Sequence, residues 1–325
     1  MSKRPPQRST VQAQQLRAKL NSIMQLIQKG NLAQANTTLQ PILRKHPTLP
    51  EVNHVAAGLS ASMNEHDRAI YYAQRAAELA PDTPEYLAGL GSVLLRAGKH
   101  DEAIDTINRA LQLNPNLPDS LVPLATAQME SGRIHDARST FARVLAENPA
   151  HLEAANNLAL LESDLAHADR AIDIIESALT HHPEHPMLLD ALCMFACYSD
   201  NQSPEQVAHI HRRFGQSVQS RIRPRTDHPN TPDPNRRIRI GLVSPDLRTH
   251  SIAYFLQPIV EHLDPNRFET FLYHTARSAD NMSEKLQSAC TTWRECPEGM
   301  NQAHKRILAD KIDILVELTG HFASN

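Results

Sequence analysis

Prolines and alanines recur every 34 residues through the first part of the chain. They stand at Pro47, Pro81, Pro115, Pro149 and Pro183, and at Ala35, Ala69, Ala103, Ala137 and Ala171. A fixed period of this length indicates a repeat protein in which each unit is one supersecondary element. Because such a unit cannot bury its apolar face alone, it must stack on its neighbours. Over half of the chain is therefore predicted to be a stacked scaffold.

The clearest copy of the repeat begins at Glu85. Its second half carries an apolar stripe with helical spacing, made of Ala103, Ile104, Ile107, Ala110 and Leu111. Gly98 is expected to end the first helix in a left-handed conformation, and Asp101 to open the second helix, where its carboxylate meets free amides. Pro115 ends the unit because the residue before a proline disfavours helix. We predict five such helix hairpins over 17–186.

A 34-residue helix hairpin with these features resembles the tetratricopeptide repeat. The resemblance implies a superhelix whose surface binds a protein or peptide partner. The apolar stripes themselves are interpreted as core between repeats rather than as a ligand groove.

The repeat register is lost after Pro183. Ser217 occupies the position where the next proline is due, and residues 187–220 are predicted to form a degenerate helical pair. One face of its last helix carries Val207, Ile210, His211, Phe214 and Val218, and is expected to cap the repeats. Residues 221–236 are rich in proline and predict a stiff linker, and residues 1–16 are predicted to be a flexible tail.

Composition excludes several classes of function. The net charge is −3, and the basic start MSKRPPQRST lacks an apolar segment that would target a membrane. Four cysteines without a CxxC pair fit a reducing compartment, so a cytoplasmic protein without a membrane partner is expected. Eight arginines between Arg212 and Arg239 lack interleaved aromatic residues and are interpreted as a solvated surface, with no nucleic acid predicted. His181, His182 and His185 lack a completing ligand, and no metal is predicted.

From Arg237 onward, strand and helix patterns alternate. RIRIGLVS, ETFLYHT and DILVELTG read as strands, and SIAYFLQPIVEHL, MSEKLQSAC and NQAHKRILAD as helices. Such alternation predicts a parallel sheet with crossover helices. The predicted fold is thus mainly α, a tetratricopeptide-repeat superhelix followed by a partial α/β Rossmann-like domain over 237–325. Ligands of such sheets bind beyond the carboxyl ends of the strands, which here are the loops SPDLRTH and GHFASN. Neither a GxGxxG nor a Walker sequence is present.

The stretch RRIRIGLVSPDLRTHSIAYFLQPIVEHLDPNRFETFLYHT, followed by WREC and ILADKIDILVELTGH, resembles a known catalytic region. It is similar to the start of the catalytic region of the O-linked N-acetylglucosamine transferase and SPINDLY family, especially its bacterial members. The resemblance extends over about 190–325. It implies an enzyme that transfers a sugar from a UDP-sugar donor to serine or threonine hydroxyls of proteins, without a further cofactor. In the family the donor lies between two Rossmann-like halves, mostly on the second, whereas this chain has the first half only. We therefore expect residues 1–325 to be inactive alone.

The resemblance assigns two candidate catalytic residues. His250, in the loop after the first strand, matches a histidine that the family places near the reacting centre. His321, in the loop after the last strand, matches a histidine of bacterial members near the same cleft. A loop imidazole with a pKa near neutrality can accept a proton from an attacking hydroxyl.

Two departures from the family pattern bear on function. Ser251 replaces the proline that commonly follows the first histidine. The asparagine column that holds substrate backbone in animal transferases is mostly lost, because its positions here are Asn21, Val55, Gly89, Pro123 and Asn157. Two alternatives to an active transferase therefore stay open. The chain is a non-catalytic adaptor that binds proteins on its repeats, or a separately encoded C-terminal catalytic half completes the enzyme in trans.

The last predicted strand also implies an exposed surface. A parallel sheet that ends at Val316 and Leu318 is expected to leave an apolar face and edge partly unprotected. The α/β part is therefore predicted to be less stable than the repeats and prone to self-association.

Overall fold

The computed structural model contains two compact units that divide between Phe214 and Gly215. It describes the ranges 7–117, 119–223, 230–297 and 299–318. The predicted fold class is confirmed, since helical repeats are followed by a small parallel sheet with helices. The division falls inside one helix, upstream of the linker predicted at 221–236.

The first unit consists of paired helices. They are α1 (Gln7–Gln28), α2 (Leu32–Lys45), α3 (Pro50–Ser62), α4 (His66–Leu79), α5 (Pro84–Arg96), α6 (His100–Leu113), α7 (Leu121–Glu130), α8 (Ile134–Glu147), α9 (Leu152–Asp164), α10 (Ala168–His181) and α11 (Pro186–Ala196), and α12 (Pro204–Arg221) begins in this unit. Helices α2, α4, α6, α8 and α10 each end two residues before one of the periodic prolines. The prolines therefore occupy equivalent turns, as the repeat register predicts.

The turn inside each hairpin contains one left-handed residue. Gly30, Gly98 and Gly132 have φ angles of 74°, 74° and 77°, and the same phase is occupied by Asn64 at 59° and Ala166 at 62°. Glycine takes this conformation without a steric penalty, whereas alanine and asparagine do so at some cost. The repeat geometry therefore overrides local preference in two of the five turns.

Close helix packing explains why the second helices carry alanine. The five periodic alanines are each 1% exposed or less. A Cβ added at Gly91 of α5 would lie 2.3 Å from Cγ1 of Ile107 on α6, so the two helices approach within a distance that only small residues allow.

Asp101 does not open α6 as predicted. The N-cap is Lys99, and Asp101 lies in the first turn without a side-chain capping hydrogen bond. Its carboxylate can still interact favourably with the positive end of the helix dipole.

Helix α7 is shorter than its counterparts. It has 10 residues, whereas α3, α5 and α9 have 13. Pro123 is its third residue. A helix that began one turn earlier would place Pro123 in its interior, where the proline ring and the missing amide disrupt helical hydrogen bonding. The proline therefore resets the start of the helix within an otherwise regular repeat.

The last helices cover the end of the repeats. Val207, Ile210 and Phe214 of α12 pack against the apolar cluster built by α9, α10 and α11. The capping face predicted for this helix is confirmed for these three side chains.

The second unit is built on four parallel strands. They are β1 (Ile238–Ser244), β2 (Phe268–His274), β3 (Thr292–Glu295) and β4 (Ile314–Glu317), in the order β3-β2-β1-β4, with the helices α13 (Ser251–His262), α14 (Asn281–Ala289) and α15 (Met300–Asp310). Helices α13 and α14 pack on one face of the sheet and α15 on the other. Strand β3 was missed in the sequence because its four residues, TWRE, show no apolar run.

Candidate functional site

The carboxyl edge of the sheet contains the candidate site. From β1, the chain crosses to β2 and β3 over one face, and from β3 it returns over the opposite face to β4. The strand order therefore reverses between β1 and β4, and ligands of open α/β sheets bind at such a reversal. The loop after β1, residues 245–250, begins at this point.

Contacts with the start of α14 fix the loop after β1. The hydroxyl of Ser283 donates to the carbonyl oxygen of Leu247 at 2.7 Å, and the amide of Thr249 donates to the carboxylate of Asp280 at 2.8 Å. Leu247 is fully buried and anchors the loop in the apolar core. The loop therefore has a defined conformation that leads directly to His250.

Asp280 is the central residue of this support. It caps α14 by accepting hydrogen bonds from the amides of Met282 and Ser283, in a capping box with Ser283. Hydrogen bonds from Thr249, followed by those from the two amides, hold the pKa of Asp280 well below its ordinary value. Sequence reasoning missed this residue, although Asp280 and Ser283 at a spacing of three before an apolar position are a recognisable N-cap signal.

His250 is the N-cap residue of α13. Its Nδ1 accepts a hydrogen bond from the amide of Ile252 at 3.3 Å, and its backbone is extended. A ring nitrogen that accepts a hydrogen bond from an amide carries no hydrogen of its own, so the ring N–H of the imidazole is at Nε2. The half-buried His250 therefore offers a hydrogen-bond donor at the carboxyl edge of the sheet.

His321, the second candidate, lies outside the described residues. The same holds for the loop after β4 to which it belongs. Its proximity to His250 stays a prediction, as does the catalytic role of both residues.

The arginines at the start of the second unit form ion pairs within it. Arg236 binds the carboxylate of Asp313 through two nitrogens at 2.6 Å, and Arg237 and Arg239 bind Glu269 at 2.7 and 3.0 Å. These pairs join the amino ends of the strands, opposite the candidate site. The interpretation of this part of the arginine cluster as structural agrees with the contacts.

The departures in the asparagine column have structural causes. Val55 is buried in the core, and a Cβ at Gly89 would lie 2.7 Å from Cε1 of His54. Pro123 sets the start of α7, as described above. Three of the five positions therefore cannot present an amide side chain without rearrangement of their surroundings.

Neither a membrane-spanning helix nor a metal cluster is found in the described ranges. No helix there is both long and apolar enough to cross a bilayer. No group of three or more histidine, cysteine, aspartate or glutamate side chains there could hold a metal ion.

Comparison with known proteins identifies the repeats. Models described as "Tetratricopeptide repeat" match residues 94–161 and 128–192, and a further one matches residues 61–118. Residues 61–192 therefore contain tetratricopeptide repeats.

Individual related proteins show a more specific similarity than the repeat models do. The probable UDP-N-acetylglucosamine--peptide N-acetylglucosaminyltransferase SPINDLY of Arabidopsis thaliana is 33% identical over 135 residues, which are 39% of this chain and 15% of that protein. The SPINDLY protein of Solanum lycopersicum is 31% identical over 134 residues, with 39% and 14% covered. The predicted similarity to SPINDLY transferases is confirmed for the repeat region, whereas the resemblance expected over about 190–325 stays a prediction. The chain spans about 15% of the length of these relatives.

A solved structure shares the repeat fold. The type IV pilus biogenesis factor PilW superposes with a TM-score of 0.56 and 17% identity, over 66% of this chain and 95% of that chain. A mutant O-GlcNAc transferase of Thermobaculum terrenum gives a TM-score of 0.48 and 22% identity, over 82% of this chain and 45% of that chain. At these identities, the likeness to PilW concerns the fold alone.

Proposed function

We propose that this chain recognises protein segments on its repeats and supplies the first α/β half of a SPINDLY-type sugar transferase. The reaction would move N-acetylglucosamine from its UDP donor to a serine or threonine hydroxyl of the bound protein. The observation that carries the proposal is the ordered loop that ends at His250, at the point where the strand order reverses. Similarity of the repeat region to SPINDLY relatives supports the part of the proposal that concerns the repeats.

In this reaction the acceptor hydroxyl attacks the anomeric carbon, and the bond to UDP breaks with its electron pair on the departing phosphate. Negative charge therefore grows on the pyrophosphate, and the proton of the attacking hydroxyl passes to water. Because Nδ1 of His250 caps α13, its Nε2–H is suited to donate a hydrogen bond to an oxygen of the donor. We assign His250 this donor role in place of the base role expected from the sequence.

A transfer assay on the full product of the gene tests the proposal. The product would be purified from its native cells and incubated with radiolabelled UDP-N-acetylglucosamine and a serine/threonine peptide library. We expect label in the peptides, reduced about a hundredfold or more by His250→Asn. Asparagine is a good N-cap residue, so this variant keeps the start of α13 and removes only the imidazole.

The control variant is His262→Asn. His262 is an exposed histidine at the other end of α13, and its Nδ1 contacts the carbonyl oxygen of Pro258. The His262→Asn variant should leave sugar transfer unchanged. Equal loss in both variants, or unchanged transfer in His250→Asn, would contradict the assignment of His250.

Purified residues 1–325 provide a second comparison. Transfer requires donor and acceptor to be held together, and the described α/β unit is one Rossmann-like sheet rather than a pair that encloses the donor. We expect residues 1–325 alone to give label at the level of a blank. Transfer above the blank would show that this unit binds the donor unaided.

The adaptor alternative is favoured by one observation. Helices α1 to α11 and the face of α12 that covers them make up about two thirds of the chain, and the repeat models match residues 61–192 within this part. An adaptor would bind proteins without any transfer. Absence of label from the native product, together with retained protein binding, would establish that function instead.

A further inference from the structure

Two aromatic rings lie against each other on the surface of α3 and α5. The ring centroids of His54 and Tyr86 are 5.3 Å apart with an interplanar angle of 51°, and both side chains are half-buried. Gly89 makes room for this arrangement, because any Cβ there would lie 2.7 Å from Cε1 of His54. The His54 ring therefore fills the space that a side chain at position 89 would occupy.

Tyr86 is unusual at its position in the repeat. The residues one or more periods away are Ala18, which is exposed on the first helix, and Val52, Ser120, Ala154 and Leu188, which are each 2% exposed or less. Stacking of repeats therefore requires only a small or apolar side chain here. Tyr86 packs against the core cluster of Ala77, Leu87, Ala110 and Leu117. Because tyrosine is larger, its half-buried ring also reaches the ring of His54 at the surface.

Two carboxylates flank the ring pair. Glu51 lies three residues before His54 on the same side of α3, and Glu85 has the equivalent position one repeat later, next to Tyr86. After burial, the charges of Glu51 and Glu85 are the causes that raise the pKa of Tyr86. Both carboxylates are thus close enough to influence the ring pair.

Ion pairs with described residues do not balance the negative charge of this surface. Among the described residues, neither Glu51 nor Glu85 forms an ion pair within 4 Å. The positive charge of Arg17 on α1 lowers the pKa of Tyr86, without such a pair to either carboxylate. Burial lowers the pKa of His54 despite the opposing charge of Glu85, so its ring is neutral near pH 7. The surface is therefore aromatic and negative.

We propose that one surface of the repeats binds an arginine side chain of a protein partner. This surface, the α3–α5 surface, consists of Glu51, His54, Glu85 and Tyr86. This inference rests on the proposed recognition of proteins by the repeats. A planar guanidinium can stack on an aromatic ring while it donates hydrogen bonds to flanking carboxylates. The compact, strongly hydrated ammonium of lysine matches this combination less well.

Peptide binding to residues 1–325 tests the inference by fluorescence anisotropy. The probes are three fluorescein-labelled glycine/serine peptides. One contains two arginines, the second two lysines and the third two citrullines. We expect the arginine peptide to bind most tightly and the uncharged citrulline peptide at least about tenfold more weakly. Binding should weaken as salt is added, since exposed charges are screened.

Two variants locate the binding on the α3–α5 surface. Tyr86→Leu removes the phenol ring and introduces the residue that Leu188 already provides at the equivalent position. The double variant Glu51→Gln, Glu85→Gln removes both charges with little change in shape. Each should weaken binding of the arginine peptide about fivefold to tenfold, with an unchanged helical circular dichroism spectrum.

Glu153→Gln is the matched control. Glu153 has the equivalent position in the repeat of α9, where Ala154 replaces the tyrosine and Asn156 the histidine. The Glu153→Gln variant should leave binding of the arginine peptide unchanged. The inference is wrong if no peptide binds, if citrulline binds as tightly as arginine, or if Glu153→Gln weakens binding as much as the double variant. No nucleotide sugar is present, so the result is independent of the transfer assay.

Discussion

The two units differ in how completely their apolar residues are covered. In the repeats, each second helix presents its small residues to neighbouring helices, and the periodic alanines are buried in every copy. In the α/β unit, β4 leaves Ile314, Leu315 and Val316 exposed, with Leu315 53% accessible, and Phe255 of α13 is 76% accessible. Stacking of equivalent units covers their apolar faces repeatedly, whereas a sheet needs a separate covering element on each face.

The largest expected difference is in resistance to unfolding. Because no element of the described ranges covers Ile314, Leu315 and Val316 of β4, we expect the segment from Arg237 to Asn325 to open more readily than the repeats. Limited proteolysis of residues 1–325 should cut first between Arg221 and Asn235 and leave a resistant repeat fragment, identified by mass spectrometry. Analytical ultracentrifugation should also show self-association through the exposed apolar residues.

Survival of the α/β segment as the most resistant piece of a monomer would reverse this comparison. It would show that the exposed strand does not limit the stability of the unit.

Overpacking of the repeat core should have the next largest effect. Ala103 is fully buried in α6, so Ala103→Leu should lower the free energy of unfolding by about 1 to 3 kcal/mol. Urea unfolding followed by circular dichroism measures the change. Ala33→Leu, at an exposed position of α2, is the control and should change stability little. Equal effects of the two substitutions would refute a core role for the periodic alanine.

The periodic features explain how much was predictable from the sequence. Proline and alanine at a fixed interval identified the hairpins, because in a stacked array every unit meets the same packing constraint. The start of α7 and strand β3 were not predicted, since Pro123 acts against the repeat pattern and TWRE carries two charged residues. The bonds of Thr249 to Asp280 and of Leu247 to Ser283 join residues more than 30 positions apart. Such contacts leave no local pattern in the sequence. The hydrogen bonds that support the candidate site could therefore be found only in the structure.

Acid should unfold the α/β unit before it unfolds the repeats. Hydrogen bonds from Arg236, then from the amide of Arg239 and from Asn230, hold the pKa of Asp313 well below its unfolded value of 3.8. A carboxylate with a lowered pKa stabilises the folded state above the unfolded pKa, and this stabilisation is lost as the pH falls through the folded pKa. The α/β unit should therefore lose stability below about pH 4, before the repeats.

The single tryptophan, Trp293, lies in β3 and reports on the α/β unit, whereas helical circular dichroism reports mainly on the repeats. Tryptophan fluorescence should change at a higher pH than the helical signal. In Asp313→Asn, the fluorescence transition should be less dependent on pH. Coincident transitions in the unchanged chain would indicate that the two units unfold together.

The smallest expected effect lies within the repeats, at the left-handed turn residue. Ala166 has a φ angle of 62° where three other turns have glycine. Glycine relieves the steric cost of this conformation, so Ala166→Gly should raise the free energy of unfolding by up to about 1 kcal/mol. Gly98→Ala should lower it by a similar amount, because the same conformation is then imposed on alanine. Ala33→Gly in the exposed part of α2 is the control, and it should destabilise by about 1 kcal/mol because glycine is a poor helix former. If Ala166→Gly destabilises as Ala33→Gly does, backbone freedom in the unfolded chain outweighs the strain in this turn, and the repeats tolerate alanine there without cost.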